Sequence, residues 1–188
     1  SEILDKVSKN EVKVLYLLGA DEIDLEQAKA SNPDLFIIYQ GHHADRGAHV
    51  ADVVLPGVTY TEKRATYVNT EGRVQRTELA VGSPGNSKED WKIVSMLSEA
   101  FGSPLPYKST PDVWKGLAEI GRQFSEDNIG SLVSSEWKLP KFGKNIGALG
   151  ARDKKFTSVV RNFYMTDPIS RASITMAKCT KFFTNRAY

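Results

Sequence analysis

Three short segments in the first third of the chain are almost uniformly apolar: VKVLYLLG at 12–19, LFIIYQG at 35–41 and ADVVLPG at 51–57. Runs of this length predict strands buried on both faces, as in a parallel sheet. Between the first two, IDLEQAKAS places Asp24 as a cap with Gln27 three residues on, which predicts a helix of about two turns. Residues 2–9 set Ile3, Leu4 and Val7 on one side of another short helix. Pro56-Gly57 closes the third strand. Strands alternating with short helical links predict an α/β fold with a parallel sheet.

The pattern then changes. In ATYVNTEGRVQRTELAV, 65–81, two β-rich segments flank Thr70-Glu71-Gly72, and Gly72 suits the left-handed position of a three-residue hairpin loop. SKEDWKIVSMLSEAFG predicts a helix capped by Ser87, with Asp90 at the box position, Gly102 after its end, and Trp91, Val94, Leu97 and Phe101 on its apolar side. TPDVWKGLAEIGRQF predicts another, with Thr110 as cap and Pro111 at the first helical position. Residues 125–150 mix Gly, Ser and Pro with Trp137, Phe142, Ile146 and Leu149, the composition of a segment that wraps a surface. TDPISRASITMAKCTKFF predicts one helix, capped by Asp167 and started by Pro168. Ile169, Ala172, Met176, Thr180 and Phe183 share its stripe, with Arg171, Lys178 and Lys181 largely elsewhere. The expected divisions are an α/β segment at 1–107, a helix and irregular wrapping segment at 108–160, and a basic helical tail at 161–188.

One feature conflicts with a self-sufficient body. Three parallel strands with so few crossover helices make an underbuilt sheet, because parallel sheets bury both faces. The missing cover is expected from another chain or from a longer parent protein. Composition is otherwise ordinary for a globular chain of 188 residues, 40% hydrophobic and 26% charged. No apolar run approaches the roughly 18–20 residues of a membrane span. The one cysteine, Cys179, excludes an internal disulfide and cannot hold an iron–sulfur cluster alone. No signal or transit peptide is legible from Ser1 onward.

Charge is distributed unevenly. Residues 1–137 carry 14 Lys/Arg against 21 Asp/Glu, and residues 138–188 carry 11 against 2. A basic tail on an acidic body predicts docking on an acidic neighbour in preference to nucleic acid, since the tail is no pure Lys/Arg run and holds few aromatics for base stacking.

Catalytic motifs are weak. The first strand runs into GADEID, with one glycine and the acids Asp21, Glu22 and Asp24, where a dinucleotide site needs a glycine-rich loop that meets phosphate. GHHADRG after the second strand is no phosphate loop either. His42, His43 and His49, with Asp45 and Asp52, fall short of a zinc set, and are read as loop histidines bonded to backbone. No G-x-S-x-G is present. The densest polar stretch, TYTEKRATYVNTEGRVQ, is read as a structural network of Glu62, Lys63, Asn69, Glu71, Arg73 and Gln75, with Glu62, Glu71, Arg64 and Arg73 placed to pair across the hairpin.

FIIYQGHHADRGAHVADVVLPGVTYTEKRATYVNTEGRVQRT resembles the C-terminal, molybdopterin-oxidoreductase-like region of the large iron–sulfur (75-kDa) subunit family of respiratory complex I. KEDWKIVSMLSEAFG extends the match, and NFYMTDPISRASITMAKC resembles the end of the mitochondrial form. The resemblance covers 12–107 and 161–179 strongly and 108–160 weakly. It implies a partial parallel sheet with flanking helices and a hairpin, completed by another chain, with an extended C-terminal tail. It also implies a catalytically silent, cofactor-free segment, without catalytic, cofactor-binding or metal residues of its own. The family's iron–sulfur clusters lie in its cysteine-rich N-terminal half, expected here as a separate partner chain. Other peripheral-arm subunits complete the expected partners, with Ile169, Arg171, Met176, Lys178, Lys181 and Phe183 as contacts. Nucleic acid and a direct membrane span are not expected, and the implied location is the matrix side of the mitochondrial inner membrane. Molybdenum enzymes of the wider superfamily carry a further β-barrel where residues 108–188 show helices and wrapping. The alternative is an oxidoreductase domain that binds molybdopterin or a nucleotide near Gly19, Gln40 and His42, at the strand ends where α/β sheets take ligands.

Overall fold

A computed structural model of the chain describes residues 2–20, 23–132, 160 and 162–184. Asp21 and Glu22, and the wrapping segment with Trp137, Phe142, Ile146 and Leu149, lie outside the described residues. The chain divides into two compact units, Ser1–Val133 and Ser134–Tyr188.

In the first unit, β1 (Val14–Leu18), β2 (Phe36–Gly41) and β3 (Val53–Pro56) form a parallel sheet in the order β1-β2-β3. Val14 pairs with Phe36 and Ile38 with Val53. The links are α1 (Glu2–Ser8) before β1, α2 (Leu25–Ser31) and α3 (Arg46–Val50). Asp24 caps α2 as its sequence predicts, accepting the Gln27 N–H at 2.9 Å. The stretch read as a histidine-bearing loop after β2 winds into α3, which contains His49.

The order of the strands decides where the core sits. β1, β2 and β3 step across the sheet in one direction, and right-handed crossovers then place every linking helix on the same face. There Leu15, Leu17, Ile37 and Tyr39 pack with Val7, Leu25, Ala28 and Leu35 into one cluster. Strand side chains alternate, so the intervening residues stand on the opposite face. Val14 remains 56% exposed and Leu18 53%, against 0% for Ile37, and Tyr16, Phe36 and Val53 are exposed with them.

After β3, a 3-10 turn at Tyr60–Glu62 leads into the hairpin of β4 (Thr66–Val68) and β5 (Val74–Arg76). Its strands are three residues each, shorter than the β-rich pattern of 65–81 implies. Gly72 takes the left-handed conformation at φ 87° in the hairpin loop.

Helices α4 (Asp90–Ala100) and α5 (Thr110–Ile120) complete the described part of this unit, with short 3-10 turns after α5. Two expected caps move. Ser87 bonds the Pro84 carbonyl instead, and Glu89 precedes α4 without a side-chain cap bond. Ser109, one residue before the expected Thr110, caps α5 by accepting the Asp112 N–H. On α4, Ile93 is buried while Phe101, assigned to the apolar side, is exposed.

The second unit corrects the single terminal helix. A 3-10 turn at Phe163–Met165 precedes α6 (Pro168–Ala172) and α7 (Ile174–Thr184). Asp167 caps α6 in a reciprocal box with Ser170, as expected. Ser173 then adopts extended backbone, and its hydroxyl accepts the Met176 N–H at 3.3 Å, so the chain ends one helix and starts the next. Asn162 and the fully buried Thr180 bond side chain to side chain at 3.0 Å.

Candidate functional site

The C-terminal ends of β2 and β3 open into a concavity of about 450 Å³. Gly41, His42 and His43 line one side, Pro56, Gly57, Thr59 and Glu62 another, and Pro84, Asn86 and Ser87 the rest. Two expected members of a ligand site, Gly19 and Gln40, do not line it: Gly19 follows β1, and Gln40 is fully buried within β2. The His42 and His43 Nδ1 atoms lie 2.7 Å apart. Partial burial, then His43, then Lys63 hold the His42 imidazolium below its usual range, so His42 is neutral at neutral pH.

The Glu62 carboxylate accepts the Thr59 N–H at 3.0 Å, closing a capping box around the 3-10 turn. It is a local clamp and makes no cross-hairpin pair. Among the described residues no lysine or arginine lines this concavity, and no three His, Cys, Asp or Glu gather into a metal-binding group. Ser87 is spent on the Pro84 carbonyl, leaving no activated nucleophile there.

Beneath the concavity runs a chain of polar contacts that crosses three parts of the fold. Tyr16 on β1 donates to the Gln40 side-chain oxygen on β2. The Gln40 amide nitrogen donates to Asp90 Oδ1 at 2.9 Å, at the start of α4. Lys63 Nζ meets Asp90 Oδ2 at 2.5 Å. Burial, then the Asp90 charge, raise the Tyr16 hydroxyl pKa, so Tyr16 remains a neutral donor. Both ends of the buried Gln40 amide are satisfied, which a polar group on an apolar sheet requires.

The six residues assigned to one network therefore separate. Glu62 caps its turn and Lys63 joins Asp90, Gln40 and Tyr16. At the hairpin loop, the Asn69 side chain accepts the Glu71 and Arg73 N–H groups at 3.1 and 2.9 Å. Arg73 donates to the Gly130 carbonyl at 2.6 Å and meets Glu71 at 3.4 Å. Gln75 is exposed on β5 and enters neither group. The cross-hairpin ion pairs differ from those expected, since Arg64 pairs with Glu78 at 2.9 Å.

Sequence reading missed Arg76. Its guanidinium lies 4.1 Å from the Trp114 ring centroid and bonds Glu126 at 2.5 Å, tying the hairpin to α5 and the turn after it. It also missed Asp90 and Tyr16 as network members. A lone acid at a helix start and a tyrosine in an apolar run carry no local sign of a partner.

The expected contact residues of the second unit lie on α6 (Ile169, Arg171) and α7 (Met176, Lys178, Lys181, Phe183). Lys178 and Lys181 are exposed and Met176 is half-buried. Phe183 is exposed, with its ring 5.8 Å from Tyr164 in a stacked arrangement. Ile174 and Phe182 are exposed on the same side of α7 as the two lysines, at helical spacings of four, seven and eight residues. They escaped the sequence reading because the stripe was drawn through one continuous helix.

Among the described residues no helix is long and apolar enough to cross a membrane. The profile of the family described as Molybdopterin oxidoreductase matches residues 1–100, and a profile for the C-terminal region of the G-type component of NADH-ubiquinone oxidoreductase matches 139–179. The chain is 47% identical over 180 residues to the NADH-ubiquinone oxidoreductase 75 kDa subunit of Reclinomonas americana, covering 94% of this chain and 24% of that one. It is 45% identical over 178 residues to the mitochondrial 78 kDa subunit of Neurospora crassa, covering 93% and 23%. It is 40% identical over 169 residues to the mitochondrial NADH dehydrogenase [ubiquinone] iron-sulfur protein 1 of Solanum tuberosum, covering 89% and 22%. The chain thus spans about a quarter of the length of the curated relatives it matches, and with more than half of its residues under the first profile it belongs to the molybdopterin oxidoreductase family.

Proposed function

We propose that this chain is a structural, cofactor-free segment of the large iron–sulfur subunit in the peripheral arm of mitochondrial complex I, on the matrix side of the inner membrane. It completes the body of a partner polypeptide that carries the rest of the subunit and its iron–sulfur clusters. Electron transfer from NADH to ubiquinone runs through other chains, and the basic tail lies against neighbouring subunits. The observation that carries this reading is the bare apolar face of the sheet, with Val14, Tyr16, Leu18, Phe36 and Val53 exposed together. A parallel sheet with one uncovered face is an incomplete structure in water.

The donor set supports the cofactor-free part. Molybdopterin carries phosphate, and the concavity at the strand ends offers Glu62 and neutral imidazole but no lysine or arginine among the described residues. Lys63, the nearest cation, is held by Asp90. These residues do not fit an anionic pterin. A molybdopterin- or nucleotide-binding oxidoreductase is the competing reading, favoured by the size and place of that concavity.

Co-expression distinguishes the two. Alone, the chain is expected in the insoluble fraction, and co-expression with the polypeptide carrying the remaining sequence is expected to bring both into solution as one complex. A monodisperse isolated chain with a sharp melting transition contradicts the proposal, and stoichiometric molybdenum or nucleotide in the purified assembly supports the rival.

A further inference from the structure

The two outer edges of the three-stranded sheet are finished differently. β3 is short and ends in Pro56, and the Lys88 N–H closes on the Pro56 carbonyl at 3.1 Å. β1 has no strand beyond it among the described residues. Its sequence, VLYLL, holds no charge and no proline, the usual means by which proteins blunt an exposed edge.

The register fixes which backbone groups the open edge presents. The Lys13 carbonyl accepts the Phe36 N–H at 2.9 Å, and the Gly19 N–H donates to the Gln40 carbonyl at 2.8 Å. The odd-numbered residues of β1 therefore turn toward β2. Val14, Tyr16 and Leu18 turn their N–H and C=O groups outward. The side chains of the same three residues stand on the bare face, so open edge and bare face are continuous around one strand.

We propose that the outer edge of β1 is a docking site for a parallel strand from the polypeptide that carries the part of the family's longer chains not spanned here. This rests on the functional reading above. The occupant follows from three observations. The relatives extend well beyond the matched region, which is 24% of the Reclinomonas americana subunit. The doubly apolar character of VLYLL is that of an interior parallel strand, not of an edge. Winding supplies the third: strands that advance away from β1 carry right-handed crossovers on the face opposite α2 and α3. One incoming strand–helix unit thus fills the edge and covers Val14, Tyr16, Leu18 and Phe36. A second copy pairing β1 with β1 about a twofold axis normal to the sheet gives an antiparallel join and leaves both bare faces uncovered.

The test is residue-resolved amide hydrogen exchange on the assembly purified from its native source. The expected result is that the Val14, Tyr16 and Leu18 amides exchange about a hundredfold more slowly than loop amides, comparably to Leu15 and Leu17. Fast exchange at those three amides in an assembly that contains the partner overturns the edge inference and leaves the functional reading standing. Absence of any such partner overturns the functional reading and this inference with it. Val14→Pro removes one outward N–H and no bond to β2, and is expected to lower recovery of the assembly about tenfold. Unchanged recovery with slow exchange lost only at that residue counts against docking through this edge.

Discussion

The two faces of the β1–β2–β3 sheet are built from neighbouring residues of the same kind, yet they have opposite fates. Leu15, Leu17, Ile37 and Tyr39 disappear under α1 and α2, while Val14, Tyr16, Leu18 and Phe36, one step along the same strands, face solvent. Nothing in side-chain hydrophobicity separates Val14 from Leu15. The separation comes from topology, because one-directional winding puts all the chain's own crossover helices on one side. The covered face is what this chain stabilises by itself, and the bare face is what it offers to another.

The largest effects should come from the covered face. Ile37→Ala removes a fully buried side chain from the cluster around Leu17 and Tyr39. It is expected to cost about 2–5 kcal/mol, read as a lower urea midpoint of the assembled complex. A loss of only a few tenths would mean that the cluster is not the core.

The bare face should answer with the opposite sign in the isolated chain. Leu18→Lys is expected to raise the soluble yield of the chain expressed alone, because a charge interrupts an exposed apolar patch. The same change is expected to weaken assembly with the partner by about 2–3 kcal/mol or more, since an unpaired charge would be buried there. Lower solubility together with unimpaired assembly would erase the distinction between the faces.

Next in size is the polar chain that joins hairpin to sheet. Lys63→Met leaves Asp90 without its cation beside the buried Gln40, with an expected cost of about 1–3 kcal/mol. Tyr16→Phe removes only the donor to Gln40 and should cost about 1 kcal/mol. Equal losses for the two variants would show that Asp90 is not the hub.

The smallest effect is a pH dependence at the edge of the covered face. Asp52 accepts from Lys29 Nζ at 2.7 Å and from the Ile37 N–H at 2.7 Å. The Lys29 bond first, and the Ile37 N–H second, hold its carboxyl below the ordinary value of 3.8. A depressed carboxylate favours the folded state while ionised. Its contribution is therefore full above that ordinary value and is lost as pH falls through the lower folded one. The stability gap between wild type and Asp52→Asn should accordingly be widest at neutral pH and narrow on acidification. A gap that widens in acid reverses the assignment.

Local features were legible because their causes are local. The apolar runs gave β1, β2 and β3, Asp24 and Asp167 announced their helices, and Gly72 marked the hairpin loop. The Ser173 break was also readable in principle, since a serine that accepts the Met176 N–H starts a helix as readily as it sits in one. The Tyr16–Gln40–Asp90–Lys63 chain was not, because its bonds join residues 24, 50 and 27 positions apart and depend on the register of the sheet. The density of charge in 59–75 suggested one ladder, but strand alternation and the short hairpin divide those residues between separate sites. The underbuilt sheet was visible from strand and helix counts, whereas which face stays open required the strand order.

Native mass spectrometry of the assembly purified from its source tests the central claim most directly. A complex in which this chain is held with a second polypeptide carrying the remaining sequence of the subunit, alongside other complex I chains, is the predicted result. A stable single chain that carries its own catalytic cofactor and copurifies with none of them would contradict it.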